Sequence, residues 1–249
     1  MKIIKNIKRL MGDACIILLS AFVLTLTSCD EHEPVDLDIH PGYILCDDGR
    51  IIKETDYDPG QHTPVGVVFA PLATDKHPVL AVLLEEVDYI QFSDTLSFDQ
   101  KTSCDEEAYD GYKNTVSLWT TNILRKELVD SVHLDNLANY YKSPLAHVAF
   151  RSHFFAQSDY VPSIAEMRLL FQNITKVNEM IIKCGGTPIS RSPMGAGCWY
   201  WTSTEVKENS MNQAWLISMA DGSIHKAPKT NSYRARLIVE YNPYNIVTN

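Results

Sequence analysis

One segment of the sequence carries every signal of a single amphipathic helix, and that helix limits what the rest of the chain can form. Ser163 and Glu166 have the spacing of a capping box, in which the side chain of each residue bonds the backbone amide of the other. Gly185-Gly186 then supplies a left-handed stop. The apolar residues in between lie mostly three or four apart: Ile164, Met167, Leu170, Phe171, Ile174, Val177 and Ile181. The segment predicts a helix over about 163–184 that packs its apolar stripe on a sheet.

The residues before this helix are typical of strands followed by a second helical region. Asp47-Asp48-Gly49 separates two β-prone runs, which is a strong hairpin signal. Apolar runs at 65–70 and 79–84 have the length of strands buried on both faces, although a buried helical segment gives the same pattern. Helical spacing appears over about 116–141, and Pro144 is expected to end that region.

The residues after the helix are again typical of strands. Residues 199–204 alternate in polarity, and Asp221-Gly222 is a second hairpin signal between runs at 214–219 and 223–226. A last run at 233–241 closes the pattern. Strands, a helical region, a capped helix and more strands together predict an α+β fold.

The composition fits one globular domain. The chain has 249 residues, of which 45% are hydrophobic and 21% charged, a balance that excludes disordered and fibrous classes. Its formal charge of −9 argues against nucleic acid as a partner, because phosphate binding needs a basic surface. No repeat or linker divides residues 42–241, so we expect a single domain there and a short tail at 242–249.

The first residues have the layout of a secretory signal. A basic leader at 2–9 precedes an apolar stretch at 14–26, which is shorter than the roughly 20 residues of a spanning helix. Leu26-Thr27-Ser28-Cys29 resembles a bacterial lipobox, and this resemblance implies that residues 1–28 are removed and that Cys29 is lipidated. The alternative is an ordinary signal peptide with an unmodified cysteine.

The predicted mature chain begins with an acidic tether at 29–41. Acidic residues directly after the lipidated cysteine resemble the surface-export signal of Bacteroides-type lipoproteins, and a plain linker is the alternative. We therefore expect an outer-membrane lipoprotein of the cell envelope, held to the membrane by its lipid anchor and exposed on the periplasmic or the outer side.

Four cysteines remain outside the predicted signal and lipidation site: Cys46, Cys104, Cys184 and Cys198. An exported protein can form disulfides, and a bond between Cys184 and Cys198 would close a short loop. Four buried free thiols are the alternative. No Cys or His spacing matches a zinc site, so no metal is predicted from these residues.

Several short motifs occur in an order that resembles a known family. They are Asp110–Thr115, Val161–Met167, Gly185-Gly186, Tyr200–Glu205, Ala214-Trp215, Gly222, Lys226, Arg234 and Arg236. This order resembles the Lcl C-terminal-like domain, over about residues 105–241. The family is similar to the C-type-lectin-like fold, and the resemblance implies antiparallel sheets with two main helical segments and ligands presented from loops.

Exposed aromatic residues beside polar ones would suit a sugar ring or a partner protein. The candidate ligand contacts are Trp199, Tyr200, Arg234 and Glu205. Trp201 and Trp215 are assigned to the core, because large buried aromatics anchor small β folds. The sugar-binding tripeptides of C-type lectins, Glu-Pro-Asn and Gln-Pro-Asp, are absent, so neither calcium nor another cofactor is predicted.

The sequence also lacks a catalytic constellation. It contains neither HExxH nor GxSxG, so we do not expect an enzyme. The resulting hypothesis is a lipid-anchored binding or adhesion module of the cell envelope, for glycan or a partner protein. The alternative is a structural subunit of a pilus or surface assembly, in which edge strands pair with a neighbour.

Overall fold

The computed structural model describes residues 39–74, 77–128, 143–150, 153–154 and 157–242. All of them fall within one compact unit, Asp38–Asn249. The predicted signal peptide, Cys29, nearly all of the predicted tether and residues 129–142 lie outside the described residues. In the parts of the chain that are described, no helix is long and apolar enough to cross a membrane.

Ten strands are present in the described residues. They are β1 (Ile44–Cys46), β2 (Ile51–Ile52), β3 (Pro64–Thr74), β4 (His77–Gln91), β5 (His153–Phe154), β6 (Gln157–Ser158), β7 (Trp199–Glu205), β8 (Gln213–Ser218), β9 (Ile224–Pro228) and β10 (Ser232–Tyr241). Eight of them form one sheet in the order β2-β1-β3-β4-β10-β7-β8-β9, while β5 and β6 form a separate pair. Neighbouring strands are antiparallel except β10 and β7, which run parallel where Arg234 lies beside Tyr200.

Both predicted hairpins are confirmed. β1 pairs with β2 around Gly49, whose φ of 85° is open to glycine at little cost. β8 pairs with β9 around Gly222, whose φ is 77°. A Cβ atom at Gly222 would lie 2.6 Å from the ring of Phe171, so the turn also needs glycine because a helix packs closely over it.

Four helices accompany the sheet in the described residues, which makes the fold a mixed α+β one as predicted. They are α1 (Gly111–Leu128), α2 (Pro144–Val148), α3 (Ile164–Gln172) and α4 (Ile174–Lys183). The capping box at the start of α3 is present with both of its hydrogen bonds. Gly185 has a φ of 76° and ends α4 in the expected left-handed conformation.

The prediction of one continuous helix over 163–184 was wrong at one residue. Asn173 has a φ of −110° and a ψ of 9°, and it separates α3 from α4. Its side-chain Nδ2 donates to the backbone oxygen of Phe69 on β3 at 2.9 Å and to that of Leu169 at 3.3 Å. The amide thus ties the break to the sheet and bonds the carbonyl of its own preceding turn.

The predicted end of the first helical region before Pro144 stays a prediction, because residues 129–142 lie outside the described residues. Pro144 itself begins α2, directly after Ser143, whose hydroxyl accepts from the amide of Ala146. Proline suits the first helical position because its missing N–H would have no partner there. The continuation of the first helical region over 129–141 lies outside the described residues.

The helices cover the two faces of the sheet. The apolar stripe of α3 and α4 packs on one face, as predicted; its core members are Met167, Leu170, Ile174, Val177 and Ile181, which contact a cluster that includes Phe69, Tyr200 and Ile238. On the other face, α1 and α2 contribute Leu118, Leu145 and Ala146 to a cluster around Trp201 and Leu216. Ile39, which the predicted tether includes, is buried in a third cluster.

Candidate functional site

Three of the motif segments that carry the family resemblance, Asp110–Thr115, Val161–Met167 and Tyr200–Glu205, meet in one buried joint. The hydroxyl of Thr115 in α1 lies 2.7 Å from the backbone oxygen of Gly111 and accepts from the amide of Val161 at 3.0 Å. Ser163 donates its amide to the Glu166 carboxylate at 2.7 Å, inside the capping box. The bond between Val161 and Thr115 joins α1 to the segment that leads into α3. The motif therefore specifies how helices dock, which is a structural role.

The strand motif Tyr200–Glu205 docks on the same joint from the sheet side. The amide of Ile164 donates to the Thr204 hydroxyl at 3.2 Å, and the amide of Ser203 donates to the backbone oxygen of Pro162 at 2.8 Å. The four groups in these two bonds are buried and hydrogen-bonded, as most buried polar groups in proteins are. The end of β7 is thereby fixed against the N-terminus of α3.

Glu205, one of the predicted ligand contacts, is fully buried and bonded inside the protein. Its carboxylate accepts from the amides of Gln100 at 2.9 Å and Thr102 at 3.0 Å, and it forms an ion pair with Lys229. Lys229 also donates to the backbone oxygen of Phe98 at 2.9 Å. Burial lowers the pKa of Lys229, while Glu205 opposes that change. The pair holds the long segment between β4 and α1 against the sheet.

Tyr200 and Arg234, two further predicted contacts, are brought together around Glu86. The Tyr200 hydroxyl donates to the Glu86 carboxylate at 2.5 Å and accepts from the amide of Ser190 at 2.8 Å. The Arg234 guanidinium lies 3.2 Å from the same carboxylate and donates to the backbone oxygen of Gly197 at 2.7 Å. Burial is the largest cause that raises the pKa of Tyr200, and the hydrogen bond to Glu86 raises it further. Tyr200 is wholly buried, so its ring has no free face.

Trp199 lies on the opposite face of the sheet from Tyr200, because successive side chains of a strand point to opposite sides. Trp199 packs against the cluster that contains Trp201, whereas Tyr200 belongs to the cluster under α3 and α4. The four predicted ligand contacts therefore lie in three separate places. Trp199 is beside the cluster of Trp201, Tyr200 and Arg234 are around Glu86, and Glu205 is beside Lys229. Trp201 and Trp215 are buried, in agreement with their assignment to the core.

Trp199 and Tyr233 both pack against the cluster that contains Trp201, and His225 contacts the Trp199 ring; we call these three residues the aromatic shelf. The rings of Trp199 and His225 have centroids 5.6 Å apart, and the Tyr233 ring stands edge-on to the buried Trp201 ring at 5.2 Å. Trp201 in turn donates its indole N–H to the backbone oxygen of Ile90 at 2.9 Å. The Tyr233 ring of the shelf is thus supported by a buried ring that is itself held by a hydrogen bond.

Sequence reasoning did not single out Tyr233 or His225. His225 reaches this position because it pairs with Leu216 across the β8–β9 hairpin, which is a local register that the Asp221-Gly222 turn could have revealed. Tyr233 comes from β10, which joins β7 as its parallel neighbour. A pairing between strands so far apart in sequence left no local signal.

The four cysteines of the described residues are free thiols. Cys198 is buried, and its sulfur accepts from the Ser218 hydroxyl at 3.7 Å. Cys184 instead packs, as Tyr57 does, against the core cluster under α3 and α4, so the two cysteines that could have closed a loop have different surroundings. Among the described residues, no group of three or more His, Cys, Asp or Glu side chains could hold a metal ion.

Comparison with known proteins relates this fold to that of a fimbrial protein. The structure is similar to that of a fimbrial protein from Bacteroides ovatus ATCC 8483, with a TM-score of 0.57 and 18% sequence identity. The similarity covers 82% of this chain and 49% of the other, so the chain spans about half the length of that protein. No family model and no curated protein matches the sequence. The likeness shows a shared fold, while the Lcl C-terminal-like and C-type-lectin-like assignments are not confirmed.

Proposed function

We propose that this protein is a non-enzymatic, lipid-anchored subunit of a fimbria-like assembly on the cell surface. The observation that carries the proposal is the fold likeness to a fimbrial protein over 82% of the chain. The lipobox-like residues that end at Cys29 support it, because they would tie the subunit to the outer membrane. In this account the acidic residues of 29–41 lie between the lipid and the folded domain.

The edges of the sheet bear on how such a subunit would join its neighbours. The edge strand β2 has two residues, and the edge strand β9 carries Lys226 and Pro228. Short edges, lysine and proline all oppose the addition of another strand. Lys226 is also engaged, since its ammonium lies 4.9 Å from the centre of the Trp215 ring. We therefore expect contacts through side chains and loops, and not through pairing at these two edges.

A shearing experiment tests the proposal. Cells that express the chain are sheared, and the surface fraction is separated by size without denaturant. We expect the wild-type chain to elute in a high-molecular-mass complex. The Cys29→Ala variant should be absent from the membrane fraction and should not incorporate labelled palmitate. A Cys104→Ala variant, which lacks a cysteine that is not predicted to be lipidated, should behave as the wild type. A monomeric, unlipidated wild-type chain would contradict the proposal.

A second function, the binding of a glycan or a partner protein, is favoured by the aromatic shelf. Trp199 and Tyr233 are partly exposed and His225 is exposed, yet their rings are held by contacts within the fold. Rigid, partly exposed Trp and Tyr side chains are typical of the residues that contribute most to binding. The same subunit could therefore serve as an adhesin.

A binding array tests this second function with the mature chain. Saturable binding to a glycan or matrix protein should be abolished by Trp199→Ala and weakened by His225→Ala. Tyr109→Ala is the matched control, because Tyr109 is an aromatic residue with 59% exposure that lies two residues before α1. Binding that survives Trp199→Ala and His225→Ala would show that the aromatic shelf is not the binding site.

A further inference from the structure

Two buried glutamates hold the joints of this fold, and they differ in one respect. Glu205 is paired with Lys229, a cation that is equally buried. Glu166 is 3% exposed, but it makes no ion pair with any residue that the structure describes. A buried carboxylate without a cation loses hydration that nothing of opposite charge replaces, which favours its neutral form.

The groups around Glu166 are hydrogen-bond donors and acids. The amide of Ser163 donates to one carboxylate oxygen at 2.7 Å, and the Tyr160 hydroxyl lies 3.3 Å from the other. Asp110, which directly precedes α1, acts on Glu166 with a charge of the same sign. The charged or titratable groups that act in turn on these neighbours are Glu240 on Tyr160, and Asp105 and Lys113 on Asp110.

The Glu166 carboxylate lies very close to the first residue of α1. A Cβ atom at Gly111 would lie 2.2 Å from a carboxylate oxygen of Glu166 and 2.7 Å from the amide nitrogen of Ser163. The first residue of α1 thus rests on the carboxylate that caps α3. Any repulsion between the Glu166 and Asp110 charges acts directly across this contact.

The two carboxyl groups respond to this burial in the same direction. Burial, with a smaller contribution from Asp110, raises the pKa of Glu166 from 4.5 to about 7, although the bonds from Ser163 and Tyr160 oppose it. Burial also raises the pKa of Asp110, and Asp105 adds to that effect. A proton on either group removes the like-charge contact between them.

We propose that the junction of α1 and α3 is a proton-dependent joint, in which the neutral form of the buried Glu166 docks α1 more firmly than its charged form. The bonds of α1 at this joint, from Asn114 to Asp110 and between Thr115 and Val161, then open less often. Proton linkage gives the direction of the effect. An acid whose pKa is higher in the folded than in the unfolded state stabilises the folded state at pH values below the unfolded-state pKa, and this stabilisation is lost as the pH rises through the folded-state pKa. For Glu166 the window lies between 4.5 and about 7.

Hydrogen exchange of the full chain between pH 5 and pH 8, corrected for intrinsic rates, tests the joint. Protection of the amides in the first turns of α1 and α3 should fall across the window, by up to about tenfold for each pH unit crossed. Glu166→Gln keeps the geometry of the capping box without a titratable group, so its protection should not depend on pH in this window. Glu179→Gln, which changes an exposed glutamate of α4, is the matched control and should behave as the wild type.

Two results would overturn the proposal: protection at the joint that is independent of pH in the wild type, or a pH response that Glu166→Gln retains. If Glu166→Gln does not fold, Asp110→Asn supplies the test. It removes the facing charge, so the midpoint of the wild-type response should move to lower pH, and an unchanged midpoint would contradict the joint.

Discussion

The ammonium group of Lys229 bonds the carboxylate of Glu205 while both side chains are completely buried. Glu205 belongs to β7 and Lys229 directly follows β9, so the pair joins two strands of the sheet. The same carboxylate accepts hydrogen bonds from the backbone amides of Gln100 and Thr102, which lie in the segment before α1. A residue that the sequence suggested as a ligand contact is therefore the anchor of a long loop.

Replacement of Lys229 by methionine should be strongly destabilising. The change leaves Glu205 buried without its cation, a situation that typically costs about 3–5 kcal/mol. The free energy of unfolding, measured by urea denaturation, should fall by that amount. The matched control is Lys226→Met, which removes a partner of the exposed Glu208 and should change the free energy far less. Equal effects of the two variants would show that the buried pair does not hold the loop.

Gly111→Ala should destabilise the joint between α1 and α3. The added methyl group would clash with the Glu166 carboxylate, the Ser163 amide and the backbone oxygen of Val161, two of which are backbone atoms that cannot move aside easily. Overpacking of this kind costs about 1–3 kcal/mol. Gly60→Ala is the control, since its nearest neighbour is an Asp58 oxygen at 3.3 Å. Thermal unfolding that is equally affected by both changes would argue against the close contact.

Trp201→Ala and Trp199→Ala should separate packing from binding. Trp201 is fully buried, so its loss should cost about 3–5 kcal/mol. Trp199 is only partly buried, and its replacement should cost clearly less. Chemical denaturation of both variants checks the order. A Trp199→Ala protein as unstable as Trp201→Ala would mean that the shelf is part of the core.

The four thiols should differ in reactivity. Burial raises the pKa of Cys46 to about 11, and Cys198 is also buried, whereas Cys104 and Cys184 are partly exposed. The thiolate is the reactive form, so iodoacetamide at pH 8 should modify Cys104 and Cys184 first in the native protein. Peptide mass spectrometry gives the order. Modification of Cys46 at the same rate as Cys184 would contradict the burial of β1.

Local signals predicted much of the fold, and long-range contacts account for what they missed. The capping box at Ser163 and the turn at Asp221-Gly222 act within a few residues, and both are present as expected. The break at Asn173 depends on a bond to Phe69, a residue 104 positions away, which no helical periodicity can reveal. Alternation along β7 was visible, but the burial of Tyr200 depends on Glu86, which is far away in the sequence.

The candidate site was less predictable than the fold for a related reason. The sequence motifs marked residues that must make specific contacts. A residue can need such contacts to dock one part of the fold on another as well as to bind a ligand. Glu205 bonds Lys229 and Tyr200 bonds Glu86, and both side chains are buried inside the fold. The residues that accompany Trp199 on the exposed shelf come from β9 and β10 and lie outside the motif segments quoted for the resemblance.

Immunogold electron microscopy of intact cells tests the central claim most directly, with an antibody raised against the folded domain. If the protein is a subunit of a fimbria-like surface assembly, gold should follow filaments or their bases on the outside of the cell, and it should be lost from the surface in the Cys29→Ala strain. Label that appears only after the cells are permeabilised, with no surface structure attached, would contradict the account.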